Sequence, residues 1–82
     1  MVTKGQFTCN EWGRYGVTDR RTPVHVGPSG SSAVTGHIAA GERVRGYYRC
    51  INSAGNVWYE ITGNLGNDME EKDARFIYSG YL

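Results

Sequence analysis

Hydrophobic and polar positions alternate along this chain in short runs, and clusters of turn residues separate the runs. Val24 and Val26 flank His25, the period-two signature of a half-buried strand, which puts the valines inward and His25 toward solvent. Gly27-Pro28-Ser29-Gly30-Ser31-Ser32 ends that strand, because glycine admits positive φ and proline has no N–H to donate. Val34 and Ile38 flank Gly36, and Ala39-Ala40-Gly41-Glu42 makes a tight connection onward. The longest alternation runs from Arg43 to Ile51: Val44, Gly46, Tyr48 and Cys50 share one face, Arg43, Arg45, Tyr47, Arg49 and Ile51 the other. With Val44 inward, Cys50 points to the core and the three arginines form a solvated stripe around Tyr47. Asn52 to Asn56 has the composition of a hairpin turn. The return run, Val57 to Thr62, then places Val57, Tyr59 and Ile61 inward, with Trp58 and Glu60 outward. The pattern predicts an all-β chain of five or six short strands packed around Val24, Val26, Val34, Ile38, Val44, Tyr59, Ile61, Ile77 and Leu82.

Residues 1–22 form a separate stretch. Phe7 to Trp12 reads as a short strand and Gly13-Arg14-Tyr15-Gly16 as a turn. So polar a segment cannot build its own core, so Phe7, Trp12 and Tyr15 are expected to dock on the remainder; the alternative is a loose tag. The acidic connection at 63–74 is long, with one helical turn expected between Asp68 and Ala74.

Composition changes this picture in one respect. An 82-residue chain is a single domain with a small core, and such domains commonly need a staple. Cys9 and Cys50 are the candidates. Joined, they would close a loop worth roughly 4 kcal/mol in the entropic model and would imply an oxidising compartment; unjoined, they would be two buried thiols. The net charge of +1 favours no polyanionic partner, because Glu42, Glu60 and the acidic run offset the arginines. Nucleic acid is therefore not expected, and no apolar run is long enough to insert in a membrane. The first residues lack the apolar stretch of a signal peptide, so a secreted chain would be the mature form, with Met1 added as initiator.

Candidate catalytic chemistry is sparse. His25 and His37 lack companions at metal-ligand or general-base spacing, the serines sit in turns, and the acidic loop lacks the pattern of a calcium-binding loop. No enzyme, metal or cofactor is expected.

Several of these stretches, taken in order, resemble the bacterial SH3-like (Src homology 3-like) domains. They are the valine strand with Gly27-Pro28-Ser29, Val34-x-Gly36, Gly41-x-x-Val44, Trp58-Tyr59-Glu60-Ile61, and the closing Phe76-Ile77-Tyr78-Ser79-Gly80-Tyr81-Leu82. The likeness covers Pro23 to Leu82, about three quarters of the chain. It departs at His25, where arginine is common, at the long acidic link, and at Arg75, where a glycine is usual. The resemblance implies a small SH3-like barrel at 23–82; the 1–22 extension lies outside it and is expected to dock on it through the disulfide. The resemblance also implies a non-catalytic module that binds an extended peptide or bacterial cell-wall peptidoglycan through an aromatic groove; the cysteine bridge would make it a secreted one, and a monomer is expected. Strand alternation and position assign that groove Tyr47, Asn56, Trp58, Tyr78 and Tyr81. Tyr78 and Tyr81 have an alternative role as packing residues, and Trp58 as a cover for the barrel's end. A different class remains open, a free-standing secreted effector or inhibitor docking on a protein partner.

Overall fold

The computed structural model describes residues 2–4, 7–65 and 73–82, the first three as backbone only. The chain is all-β. Its strands are β1 (Val2–Lys4), β2 (Phe7–Val17), β3 (Thr22–His25), β4 (Val34–Ile38), β5 (Arg43–Asn52), β6 (Val57–Glu60) and β7 (Phe76–Tyr78), followed by a 3₁₀ turn, Ser79–Tyr81. They form one antiparallel sheet in the order β1-β2-β5-β6-β7-β3-β4. The expected helical turn at 68–74 lies outside the described residues, except for Asp73 and Ala74.

Among the described residues the sheet does not close into a barrel. Both edges of β5 are occupied, one by β2 and the other by β6, so β4 pairs with β3 alone and remains an edge. The stretch expected as a short strand and a turn is in fact one strand of 11 residues. Its register against β5 shifts between Glu11 and Arg14, so a bulge replaces the expected turn.

The sheet is nevertheless strongly curled. In a flat sheet β2 and β7 would lie three strand spacings apart, about 14 Å. Yet the Phe7 and Phe76 rings meet edge to face with centroids 5.7 Å apart. The chain end also returns to β2, where the Asp19 N–H donates to the Tyr81 carbonyl (2.9 Å). Buried Thr18 ties the β4–β5 turn to the end of β2. Its hydroxyl donates to the Ala39 carbonyl (2.7 Å) and accepts from the Glu42 N–H (3.1 Å).

Inside the curl lie Phe7, Cys9, Tyr48, Cys50, Trp58, Leu65, Ala74 and Phe76. Cys9 and Cys50 sit directly opposite each other on β2 and β5 and are joined by a disulfide, with Cα atoms 4.0 Å apart. The pattern of inward residues on β5 agrees with the alternation, for Gly46, Tyr48 and Cys50 are buried and Arg43 and Arg45 exposed. On β3 and β6 the faces are reversed. His25 is buried while Val26 is exposed; Trp58 and Glu60 are buried while Val57 and Tyr59 are only half-buried. Of the residues expected around the axis, Ile77 is fully buried and Val34 is exposed.

Pairing explains the reversal on β6. The Asn52 N–H donates to the Asn56 carbonyl, and the Asn52 side-chain carbonyl accepts from the N–H groups of Ala54 and Asn56. That turn sets Cys50 opposite Trp58. Opposed residues point to the same side of a sheet, so an inward Cys50 brings Trp58 inward with it. Glu60 is tolerated inside because loop N–H groups saturate its carboxylate. Thr62 donates its N–H and hydroxyl, Gly63 its N–H (2.6 Å) and Arg75 its N–H (2.9 Å). A buried carboxylate held by several charge-assisted bonds clamps the two ends of the 61–75 connection together.

Candidate functional site

Among the described residues, two clefts beside this core hold the sequence-predicted contact residues, which divide between them. The first has a volume of about 350 Å³ and is lined by Pro23, His25, Gly30, Asn56, Trp58, Tyr78 and Tyr81. Four of the five candidate groove residues, Asn56, Trp58, Tyr78 and Tyr81, thus come together. Tyr47 does not; it lines the second cleft.

Local structure explains how the first cleft is assembled. Trp58 is its floor, only 4% exposed. The His25 ring meets Trp58 edge to face at 5.0 Å, and Tyr78 lies tilted against it at 5.4 Å. Tyr81 meets Tyr78 edge to face at 5.7 Å, with the Arg20 guanidinium over the Tyr81 ring at 5.1 Å. These edge-to-face arrangements place positive ring edges against negative ring faces and hold each ring in one orientation. Gly80 is required by the same packing: a Cβ there would come within 2.5 Å of the Tyr78 ring. On the opposite wall, Asn52 donates its side-chain amide to the Pro28 carbonyl (2.8 Å), joining the hairpin turn to the 27–32 loop. His25 Nδ1 bonds the Ser32 carbonyl (2.9 Å), anchoring the far end of that loop. His25 is therefore a built part of the cleft, which alternation alone had assigned to solvent. Its inward position goes with its pairing opposite Phe76, a register that only the folded sheet shows.

The Trp58 indole N–H is buried without a hydrogen-bond partner among the described residues. A buried donor left unpaired costs about 1–3 kcal/mol, so it is a built-in preference for an acceptor.

The second cleft, about 440 Å³, is lined by Glu11, Trp12, Gly13, Arg45, Tyr47, Tyr48 and Gly63. Here the β2 bulge lays Trp12 across β5, stacked on Tyr59 with centroids 4.2 Å apart and planes 13° from parallel. Only a glycine fits beneath it, because a Cβ at position 46 would lie 2.8 Å from the Trp12 ring. Beside the stack, Arg45 covers Tyr47 at 4.6 Å and Arg43 covers Tyr15 at 4.1 Å.

No group of His, Cys, Asp and Glu among the described residues could hold a metal ion. No family model, curated protein or solved structure matches the chain.

Proposed function

We propose that the chain is a non-catalytic, secreted binding module whose first cleft receives an extended peptide, with the stem peptide of peptidoglycan as the ligand class. One observation carries this reading: Asn56, Trp58, Tyr78 and Tyr81 surround a single cleft together with His25. Ring faces and edges at successive points suit an extended backbone, and Asn56, exposed at the rim, can fix its register by donating and accepting at once. A peptide carbonyl reaching the cleft floor would give the Trp58 indole N–H the acceptor that it lacks among the described residues. The disulfide is compatible with an extracellular setting. The order of motifs over 23–82 supports a bacterial SH3-like module, with the β1–β2 hairpin added along β5 where a plain barrel would pair otherwise.

The test uses rim residues, because Trp58 is too buried for its loss to report on binding alone. Asn56→Ala and Tyr81→Ala are compared with the unaltered chain in co-sedimentation with purified peptidoglycan. Each anchoring contact should lower affinity by about 2 kcal/mol; the melting temperature should be little changed for exposed Asn56→Ala and lowered for Tyr81→Ala, whose ring packs on Tyr78, so binding is compared where both variants are folded. Sedimentation unchanged in both folded variants would rule the cleft out. Retention by a secreted protein, with no retention by peptidoglycan, would favour the effector reading instead.

A further inference from the structure

The face of the sheet carrying Tyr15, Arg43, Arg45 and Tyr47 has a construction that the peptide cleft does not explain. Tyr15 and Arg45 are directly opposed on β2 and β5, as are Val17 and Arg43. Arg43 lies over the Tyr15 ring at 4.1 Å, and Arg45 lies near both Tyr15 (5.9 Å) and Tyr47 (4.6 Å). Arg14 lies over Trp12 at 6.0 Å, but it is opposed to Gly46 and so belongs to the other side of the strand pair. On this face two exposed guanidinium groups, those of Arg43 and Arg45, are thus held by aromatic rings, and neither forms an ion pair with a carboxylate of the described residues. Glu60 is turned into the protein and saturated by loop N–H groups, so it does not neutralise this face. Glu11 lines the adjoining cleft without pairing to Arg45.

A guanidinium lying on a ring presents its N–H fork at its edge, which matches the oxygens of a phosphate in a bidentate fashion. Arg43 and Arg45 are two residues apart on one face, so their backbones are spaced by about 6.8 Å. Successive phosphates of an extended phosphodiester chain repeat at a comparable interval. The rings themselves are already engaged: Tyr47 lies against Gly63 and under Arg45, and Trp12 is stacked on Tyr59. Few ring faces remain on which bases could stack, in contrast to the open aromatic platforms of single-strand binders.

We infer that this face is a second binding site, independent of the peptide cleft, for a linear phosphodiester polymer read through its phosphates and not through bases. Binding of an abasic deoxyribose-phosphate oligomer is measured by fluorescence anisotropy over a salt series, beside single-stranded DNA of equal length and polyglutamate. The abasic oligomer should bind as tightly as the DNA and at least tenfold more tightly than polyglutamate. Arg43→Gln combined with Arg45→Gln should weaken it at least tenfold and make the log–log salt dependence shallower by about 1.4, the share of two phosphate contacts on a single strand. Arg43→Lys with Arg45→Lys should keep the salt slope but bind several-fold more weakly, since the fork is lost and the charge is not. Tyr81→Ala in the other cleft should change nothing here. Any one of four results overturns the inference: no binding of the abasic oligomer at low salt, DNA binding far more tightly, polyglutamate binding equally, or the glutamine pair binding like the unaltered chain.

Discussion

The two aromatic surfaces of this small sheet are built by opposite means. Around the first cleft the rings lean on one another over a buried tryptophan, with a histidine and an asparagine as the polar complement. On the β2–β5 face the rings lie at the surface and are covered by arginines. The first surface is therefore part of the core, and its shape depends on the stability of the whole chain. The second is laid over a strand pair already fixed by backbone pairing and the disulfide. Ring truncation should expose this difference directly.

The largest effect is expected at Trp58. Removing a buried aromatic ring costs about 3–5 kcal/mol, a large part of what holds so small a domain together. Trp58→Ala should thus be substantially unfolded at 25 °C by near-UV circular dichroism; a cooperative melt close to the unaltered chain's would show that the ring is not a core element. Reduction of the Cys9–Cys50 bridge acts beneath both surfaces at once, because Cys50 faces Trp58 on one side and Cys9 of β2 on the other. Its loss should cost roughly 2–5 kcal/mol. Intact mass should rise by about two protons on reduction, and both aromatic surfaces should lose their near-UV signal together in one transition.

Intermediate in size is Gly46→Ala. The new methyl would collide with Trp12, and overpacking of this kind costs about 1–3 kcal/mol. The Trp12–Tyr59 stack should open, red-shifting tryptophan emission, while the amide signals of His25 and Tyr78 stay in place. Equal disturbance of both surfaces would show that they are not separately built. The smallest effect belongs to Tyr15→Ala. Tyr15 is 55% exposed, so the stability change should stay within about 0.5 kcal/mol, despite the guanidinium resting on it.

The same contrast explains what could be read in the chain before folding. Alternation on β5 was legible because ten residues of strand leave one parity clearly more polar, with Arg43, Arg45 and Arg49 on a single face. β3 and β6 have four residues each, and both of their parities contain apolar side chains. Counting hydrophobicity there favoured Val24 and Val26 over His25, and Val57 and Tyr59 over Trp58 and Glu60. On β3, pairing opposite Phe76 turned His25 inward, and on β6 two facts of tertiary structure decided the face. The turn at Asn52–Asn56 locked Trp58 opposite Cys50, and loop N–H groups gave the Glu60 carboxylate its partners. The first was available from turn length and the inward cysteine; the second was not, since Gly63 and Arg75 converge only in three dimensions. Leu65 and Ala74 were missed as core for the same reason, because they belong to a connection and carry no periodicity. Closure into a barrel was expected from the order of motifs in 23–82, which contains no information about the strand edge that residues 7–17 would occupy.

The cleft over Trp58 is the peptide-binding site that we propose. It is tested most directly by titrating the ¹⁵N-labelled chain with soluble peptidoglycan stem-peptide fragments and following amide and indole signals. Saturable shifts are expected at the Trp58 indole N–H and the Asn56 side-chain amide, with neighbouring changes at Gly30, Tyr78 and Tyr81 and none at Arg43 or Arg45. Shifts confined to the β2–β5 face, or no shifts at saturating fragment, would contradict the proposal.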